Sequence, residues 1–203
     1  MTKSSIPVED LKSKLRTDIL ERRKLNSKAQ QSVSESLICE IALLLEEVAN
    51  AKILALYVST EFEPGTEKLL RILKLRNKTI LLPVLGESLT RGWARFSSRE
   101  DLVVRKLGRP PEPSSLNLGE DMLKNADVLL IPALGVDTSG TRIGHGGGWY
   151  DRALLSKRDD VKIFALVFSN EVFDADVAPL PYESHDIKVD GYITEKGFTR
   201  IKN

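Results

Sequence analysis

The chain has 203 residues, 41% hydrophobic and 29% charged, which suits one globular domain spanning residues 1–203 and excludes fibrous, collagen-like and wholly disordered classes. Lys and Arg number 30 against 29 Asp and Glu, so the net charge of +1 supplies no global field for a polyanion and argues against a dedicated nucleic-acid-coating protein. Cys39 is the single cysteine, which excludes an internal disulfide and a zinc centre built on several thiolates.

The first residues include Glu9 and Asp10 and hold no apolar run of signal-peptide type. The most apolar stretches fall well short of the ~20 residues that cross a bilayer as a helix. A soluble, cytoplasmic protein with no membrane partner is expected. From Val8 to Leu25 the residues Leu11, Leu15, Ile19, Leu20 and Leu25 recur at helical spacing, with Lys12, Arg16, Arg22 and Arg23 on other faces, so the segment predicts an amphipathic basic helix. Asn26 and Ser27 supply turn and cap chemistry, and Gln30 to Val48 predicts a second helix with Leu37, Ile41, Leu44 and Leu45 apolar.

Lys52 to Val58 is apolar without alternation, as in a strand covered on both faces, and predicts a central parallel strand. Thr66 offers a cap to a helix that ends near Asn77, and Thr79 to Val84 reads as the next strand. Gly86 to Asn117 is a loop-rich excursion around a short strand at Trp93 to Phe96. Asp127 to Pro132 is the clearest buried strand, followed by a glycine-rich segment and a helix from Trp149 to Ser156. Lys162 to Phe168 and Lys188 to Thr194 complete the strands. This order implies an α/β fold, a three-layer domain with a mostly parallel central sheet flanked by helices.

Six of the 13 glycines, Gly135, Gly140, Gly144, Gly146, Gly147 and Gly148, lie between a buried strand and a helix. Such a segment points successive backbone N–H groups into one concavity, where phosphate oxygens fit. It is neither a Walker loop, since no Gly-Lys-Ser/Thr occurs, nor a dinucleotide fingerprint, since Trp149 interrupts it. Arg142 and Arg152 flank it, and Asp137 and Asp151 add hard oxygen ligands, so both signs needed for a Mg²⁺–triphosphate are present. The same residues also suit a merely flexible turn rimmed by surface salt bridges.

The run Leu-Gly-Val-Asp-x-x-Gly-x-Arg-Ile-Gly-x-Gly-Gly-Gly-Trp-Tyr-Asp-Arg strongly resembles the signature of the 5-formyltetrahydrofolate cyclo-ligases, also called 5,10-methenyltetrahydrofolate synthetases. Lys12-x-x-x-Arg16, Glu63, Gly108 to Pro113, His185-Asp186 and Asp190 follow in that family's order, so the resemblance covers nearly the whole chain. It implies ATP and 5-formyltetrahydrofolate as small-molecule substrates, Mg²⁺ as the metal, no nucleic-acid partner, and a monomer. Lys12, Arg16 and Arg142 would bind ATP phosphates together with Ile143, Gly144, His145, Gly146, Gly147, Gly148, Trp149 and Tyr150. Asp151 and Asp186 would hold Mg²⁺, and Val58, Glu63 and the segment from His145 to Trp149 would touch the folate.

The chain departs from the family pattern at Trp149, which replaces the first of two tyrosines, at Val136, which replaces phenylalanine, and at Pro64-Gly65. The implied reaction forms 5,10-methenyltetrahydrofolate, ADP and phosphate. Lys12, Arg16, Arg142 and Glu63 would be its catalytic groups, Glu63 by holding the pterin or N10. Two other classes can use an anion-binding loop: a sugar-phosphate isomerase-like enzyme, which needs no Lys12/Arg16 pair, and a non-catalytic phosphate- or nucleotide-binding module. RNA binding by the N-terminal helix is disfavoured by its modest charge excess and lack of interleaved aromatics.

Overall fold

A computed structural model of the protein describes residues 7–85 and 90–201. Gly86, where the expected loop-rich excursion begins, and the segment before Pro7 lie outside the described residues. In chain order the helices are α1 (Val8–Lys24), α2 (Lys28–Leu44), α3 (Glu46–Asn50), α4 (Glu67–Leu75) and α5 (Trp149–Ala153). The strands are β1 (Ile53–Ala55), β2 (Thr79–Val84), β3 (Gly92–Arg95), β4 (Leu102–Val103), β5 (Glu112–Pro113) and β6 (Val128–Pro132). They continue with β7 (Gly135–Asp137), β8 (Arg142–Ile143), β9 (Lys162–Leu166), β10 (Val172–Phe173), β11 (Gly191–Thr194) and β12 (Gly197–Arg200).

The main sheet runs β12-β11-β9-β6-β1-β2-β3. Its five inner strands are mutually parallel, with β12 and β3 antiparallel at the two edges. Along β6, Val128 and Leu130 face one core with α2, α3 and α4, while Leu129 and Ile131 face the other with Ala153 and Leu154. Burial on both sides explains why these strands read as unbroken apolar runs. The expected three-layer α/β domain with a mostly parallel sheet is what the chain forms. Among the described residues no helix is long and apolar enough to cross a membrane.

Several boundaries differ from expectation for local reasons. The second helix breaks at Leu45, whose extended backbone (φ −68°, ψ 133°) separates α2 from α3. Beyond Ala55 the first strand continues only as extended chain, with Leu56 N–H donating to Leu81 O at 2.9 Å. Thr66 stands at the start of α4 but does not cap it; its hydroxyl donates to Tyr57 O at 2.8 Å and accepts from Ser59 N–H at 3.1 Å, tying the chain after β1 to the helix entrance. The helix after the glycine segment is α-helical for one turn only before it tightens to 3₁₀ at Leu154–Ser156. Its dipole is correspondingly small, so an anion there would depend on the loop and its arginines.

The first helix buries part of its expected apolar face, with Leu15 and Leu20 packed beside Ile19, but it also turns cations inward. Lys12, Ile19 and Arg23 are buried and Arg16 is nearly so, whereas Leu11 and Leu25 are exposed. The spacings of four, three and four residues line these groups along one face, and that inward face is basic. Arg23 is held by Glu171 through Nε–Oε1 at 2.7 Å and Nη2–Oε2 at 2.8 Å, and also donates to Ala133 O at 2.7 Å. Beside it, β7, β8 and β10 form a small sheet on which Ile19 packs with Leu134, Ile143 and Leu180. Gly140 turns the β7–β8 hairpin at φ 87°, where any Cβ would meet Val189 O at 2.6 Å.

Candidate active site

The parallel strands stand in the order β2-β1-β6-β9-β11, so connections leave β1 and β6 toward opposite sides of the sheet. The crevice outside the carboxyl ends of two such strands is where open α/β sheets bind ligands. A cleft of ≈ 720 Å³ occupies that position, bordered by the chain after β1, β2 and β6, the inward face of α1 and the glycine segment. Its size falls in the range of small-molecule sites. The residues to which the family resemblance gives binding or catalytic roles line it: Lys12, Arg16, Val58, Glu63, the run from Arg142 to Asp151, and Asp186; Gly108 to Glu112 border it too, whereas Pro113 and Asp190 do not.

Three cations that border the cleft, Lys12, Arg16 and Arg142, have anionic or carbonyl partners. Lys12 Nζ donates to Asp186 Oδ2 at 2.6 Å and to Glu183 Oε2 at 2.8 Å. Arg16 Nη1 reaches Glu9 Oε1 at 2.7 Å, and its Nε donates to Gly144 O at 3.0 Å. Arg142 is buried and donates from Nη2 to Asp151 Oδ1, while its Nε has no protein partner. Arg152 Nη2 closes on Gly147 O at 2.8 Å. Gly148 adopts φ 59° where this loop enters α5, a left-handed conformation that suits glycine.

The other two oxygen-ligand candidates have different work. Asp137 is buried and uses Oδ1 to accept from Ser139 and Thr141 and Oδ2 to accept from Leu180 N–H, which shapes the β7–β8 hairpin. Asp190 accepts from Lys162 Nζ at 3.0 Å and Ile163 N–H at 2.9 Å. Among the described residues, the group whose ligand atoms converge within 4.8 Å is Glu183, His185 and Asp186, a group without Asp151. Glu183 was not singled out from sequence; its place three residues before Asp186, on a turn in which Glu183 N–H donates to Asp186 Oδ2 at 2.8 Å, is the signal that identifies it.

Glu63 is buried, and its Oε2 accepts from Thr60 N–H at 2.7 Å and Thr60 Oγ1 at 2.8 Å. Thr60 is a further site residue missed in the sequence, detectable only as a Thr-x-x-Glu turn. His145 Nε2 stands 3.6 Å from Glu63 Oε1. The aromatic wall is composite: Trp149 meets Trp93 edge-on with centroids 5.2 Å apart and Tyr150 at 4.9 Å. Burial pushes the Tyr150 phenol up, and its hydroxyl lacks a protein partner.

The Lys12–Asp186 pair sets a pH window. Burial alone would raise the Asp186 carboxyl, but the hydrogen bonds from Lys12 and Glu183 N–H outweigh it and hold the group below the ordinary 3.8. Burial would likewise lower Lys12, yet its bonds to Asp186 and Glu183 lift it above 10.5. A depressed carboxylate contributes stability above its unfolded value and loses it as pH falls through the folded one. A raised ammonium contributes below 10.5 and loses it as pH rises through its folded value. The stability difference between the parent chain and Asp186→Asn, followed by urea unfolding, is therefore expected to be level at neutral pH and to shrink below pH 3.8.

The sequence model of the 5-formyltetrahydrofolate cyclo-ligase family matches residues 8–195. The chain belongs to this family. It is 33% identical over 193 residues to the 5-formyltetrahydrofolate cyclo-ligase of Mycolicibacterium smegmatis, covering 91% of this chain and 94% of the relative. The Haemophilus influenzae cyclo-ligase is 33% identical over 153 residues, covering 70% and 77%. In structure the chain is similar to the 5,10-methenyltetrahydrofolate synthetase of Aquifex aeolicus, with a TM-score of 0.78 and 27% identity over 95% of this chain and 94% of that one. Membership makes the chain a ligase, which sets aside both the isomerase-like and the non-catalytic readings.

Proposed function

We propose that the protein, as a monomeric single domain, converts 5-formyltetrahydrofolate and ATP to 5,10-methenyltetrahydrofolate, ADP and phosphate with the help of Mg²⁺. The observation that carries this reading is the convergence, at the switch point of the sheet, of three inward cations with a glycine loop and a folate-sized cleft. Family membership supports the substrate and product. The inward turn of Lys12 and Arg16 directs two cations of α1 to a small-molecule cleft, and Arg23 is spent on Glu171, which disfavours a nucleic-acid partner.

The chemistry explains the nucleotide. A formyl oxygen is a poor leaving group, and transfer of the γ-phosphoryl group to it turns it into phosphate. N10 then adds to the activated carbon and phosphate departs. Phosphoryl transfer asks a protein mainly for position and charge. Lys12, Arg16 and Arg142 would neutralise the phosphates, and the unpartnered Arg142 Nε is a donor already free for one of their oxygens. Backbone groups from Ile143 to Tyr150 would cradle the chain of phosphates, with Trp149 as the aromatic wall against the pterin. Val58 and Glu63 would border the folate, Glu63 reaching N10 through Oε1 because Oε2 is taken by Thr60.

The donor set fits Mg²⁺, since carboxylate oxygens are hard ligands and the cleft offers Asp151, Asp186 and Glu183. Asp151 and Asp186 would hold the ion, which when bound supplies charge neutralisation on the phosphates. A direct assay tests the proposal. Protein mixed with Mg·ATP and 5-formyltetrahydrofolate is expected to generate the near-ultraviolet absorbance of the methenyl product, with none when ATP is left out. Absence of that signal in the complete mixture overturns the assignment.

A further inference from the structure

Ring closure leaves a proton to dispose of. As the N10–carbon bond forms and the carbon–oxygen bond breaks, with its electron pair departing on phosphate, the N10–H bond must break too, its electron pair staying on nitrogen. Given the proposed reaction, on which this inference rests, Glu63 Oε1 is placed to receive that proton. Glu63 as a residue is 8% exposed, and Oε2 is already committed to two donors from Thr60. A proton parked on so enclosed a group has to leave before the next turnover.

We infer that His145 is the exit: its Nε2 takes the proton from Glu63 Oε1, and its other ring nitrogen releases one to solvent. Three observations carry this. His145 Nε2 lies 3.6 Å from Oε1, close enough to shorten into a hydrogen bond by a small ring movement. Among the described residues no Lys or Arg is within ion-pair distance of Glu63. The His145 side chain is 43% exposed where that of Glu63 is 7% exposed, so the imidazole bridges the enclosed carboxylate and bulk water. The charged groups acting on the ring are Glu63 from the chain after β1, and Arg16 and Arg23 from α1. Partial burial of the ring, with the two arginines, disfavours the imidazolium more than Glu63 favours it and holds His145 below the ordinary 6.5, the direction that suits an acceptor. His145 acts through Glu63, as a positioning and relay residue.

The test is the single-turnover rate of methenyl formation across pH 5–9 for the parent chain, His145→Gln and His145→Ala, the last with and without imidazole. Both variants are expected to lose about 10- to 100-fold in rate while KM for the folate stays within about 2-fold. The rising acid limb of the parent profile, with an apparent pKa below 6.5, should vanish in His145→Gln, and imidazole should restore His145→Ala in proportion to its free base. Rates equal to the parent, a change in KM alone, or indifference to imidazole overturn the relay while leaving the cyclo-ligase reading intact. A parent chain that forms no methenyl product overturns both.

Discussion

Arg142→Met is expected to lower kcat/KM for ATP by about 10²- to 10³-fold, the scale on which removal of one preorganised donor to a transferring group reduces turnover. The Arg142 side chain is 3% exposed and its Nε lacks a partner, which costs on the order of 1–3 kcal/mol until an acceptor arrives. In the proposed complex a phosphate oxygen would supply that acceptor, and the offset cost would contribute to affinity for the nucleotide. Its Nη2 partner Asp151 is 26% exposed and rehydrates when the arginine is removed, so the fold should survive the change. Arg142→Lys keeps the charge but not the planar fork and should fall between the two. Steady-state kinetics and calorimetric titration with a non-hydrolysable nucleotide measure both effects; parent-like values for Arg142→Met would remove this residue from the phosphate site.

The largest effect on stability is expected at Arg23 and Glu171. Their side chains are 1% and 3% exposed, and the bidentate pair is completed by Ala133 O and by Phe168 N–H, which donates to Glu171 Oε2 at 2.9 Å. Removing one partner strands a buried charge, so Arg23→Met or Glu171→Leu should cost about 3–5 kcal/mol, a large share of the ~5–15 kcal/mol that holds a domain together. The double variant should recover most of the loss, because it strands neither charge. Urea unfolding of the three variants decides the matter. If the double variant is as unstable as the sum of the singles, the pair is not what anchors α1. Lys12 and Arg16 ride on that helix, so the single variants should lose activity as well.

The parallel strands were legible because burial on both faces forces long apolar runs, and β2, β6 and β9 begin or end within a few residues of where those runs do. The strands β7, β8, β10 and β12 were not legible, since two to four residues hold no periodicity. In α1 the apolar spacing located Leu15, Ile19 and Leu20 correctly, but the pattern was read on the assumption that charge faces water, whereas Lys12, Arg16 and Arg23 face inward to partners elsewhere in the fold and Leu11 and Leu25 are exposed. The candidate site run from Arg142 to Asp151 was legible because its residues are contiguous in the chain, and the structure places them all along the cleft. Glu171 and Glu183 stayed hidden because they meet Arg23 and Lys12 across 148 and 171 residues of chain, a juxtaposition that only folding creates.

Three of the cations bordering the cleft do not stand bare. Lys12, Arg16 and Arg142 each rest on a carboxylate, so a polyanion bound as proposed would compete with those resident oxygens for every donor except the unpartnered Arg142 Nε. Association is thus an exchange of one ion pair for another, and its free energy is a difference between two similar attractions. Carboxylates released in that exchange would lose their cation, and a divalent companion to the anion would supply positive charge in its place. Anion and cation would then enter as one neutralised unit, each making room for the other.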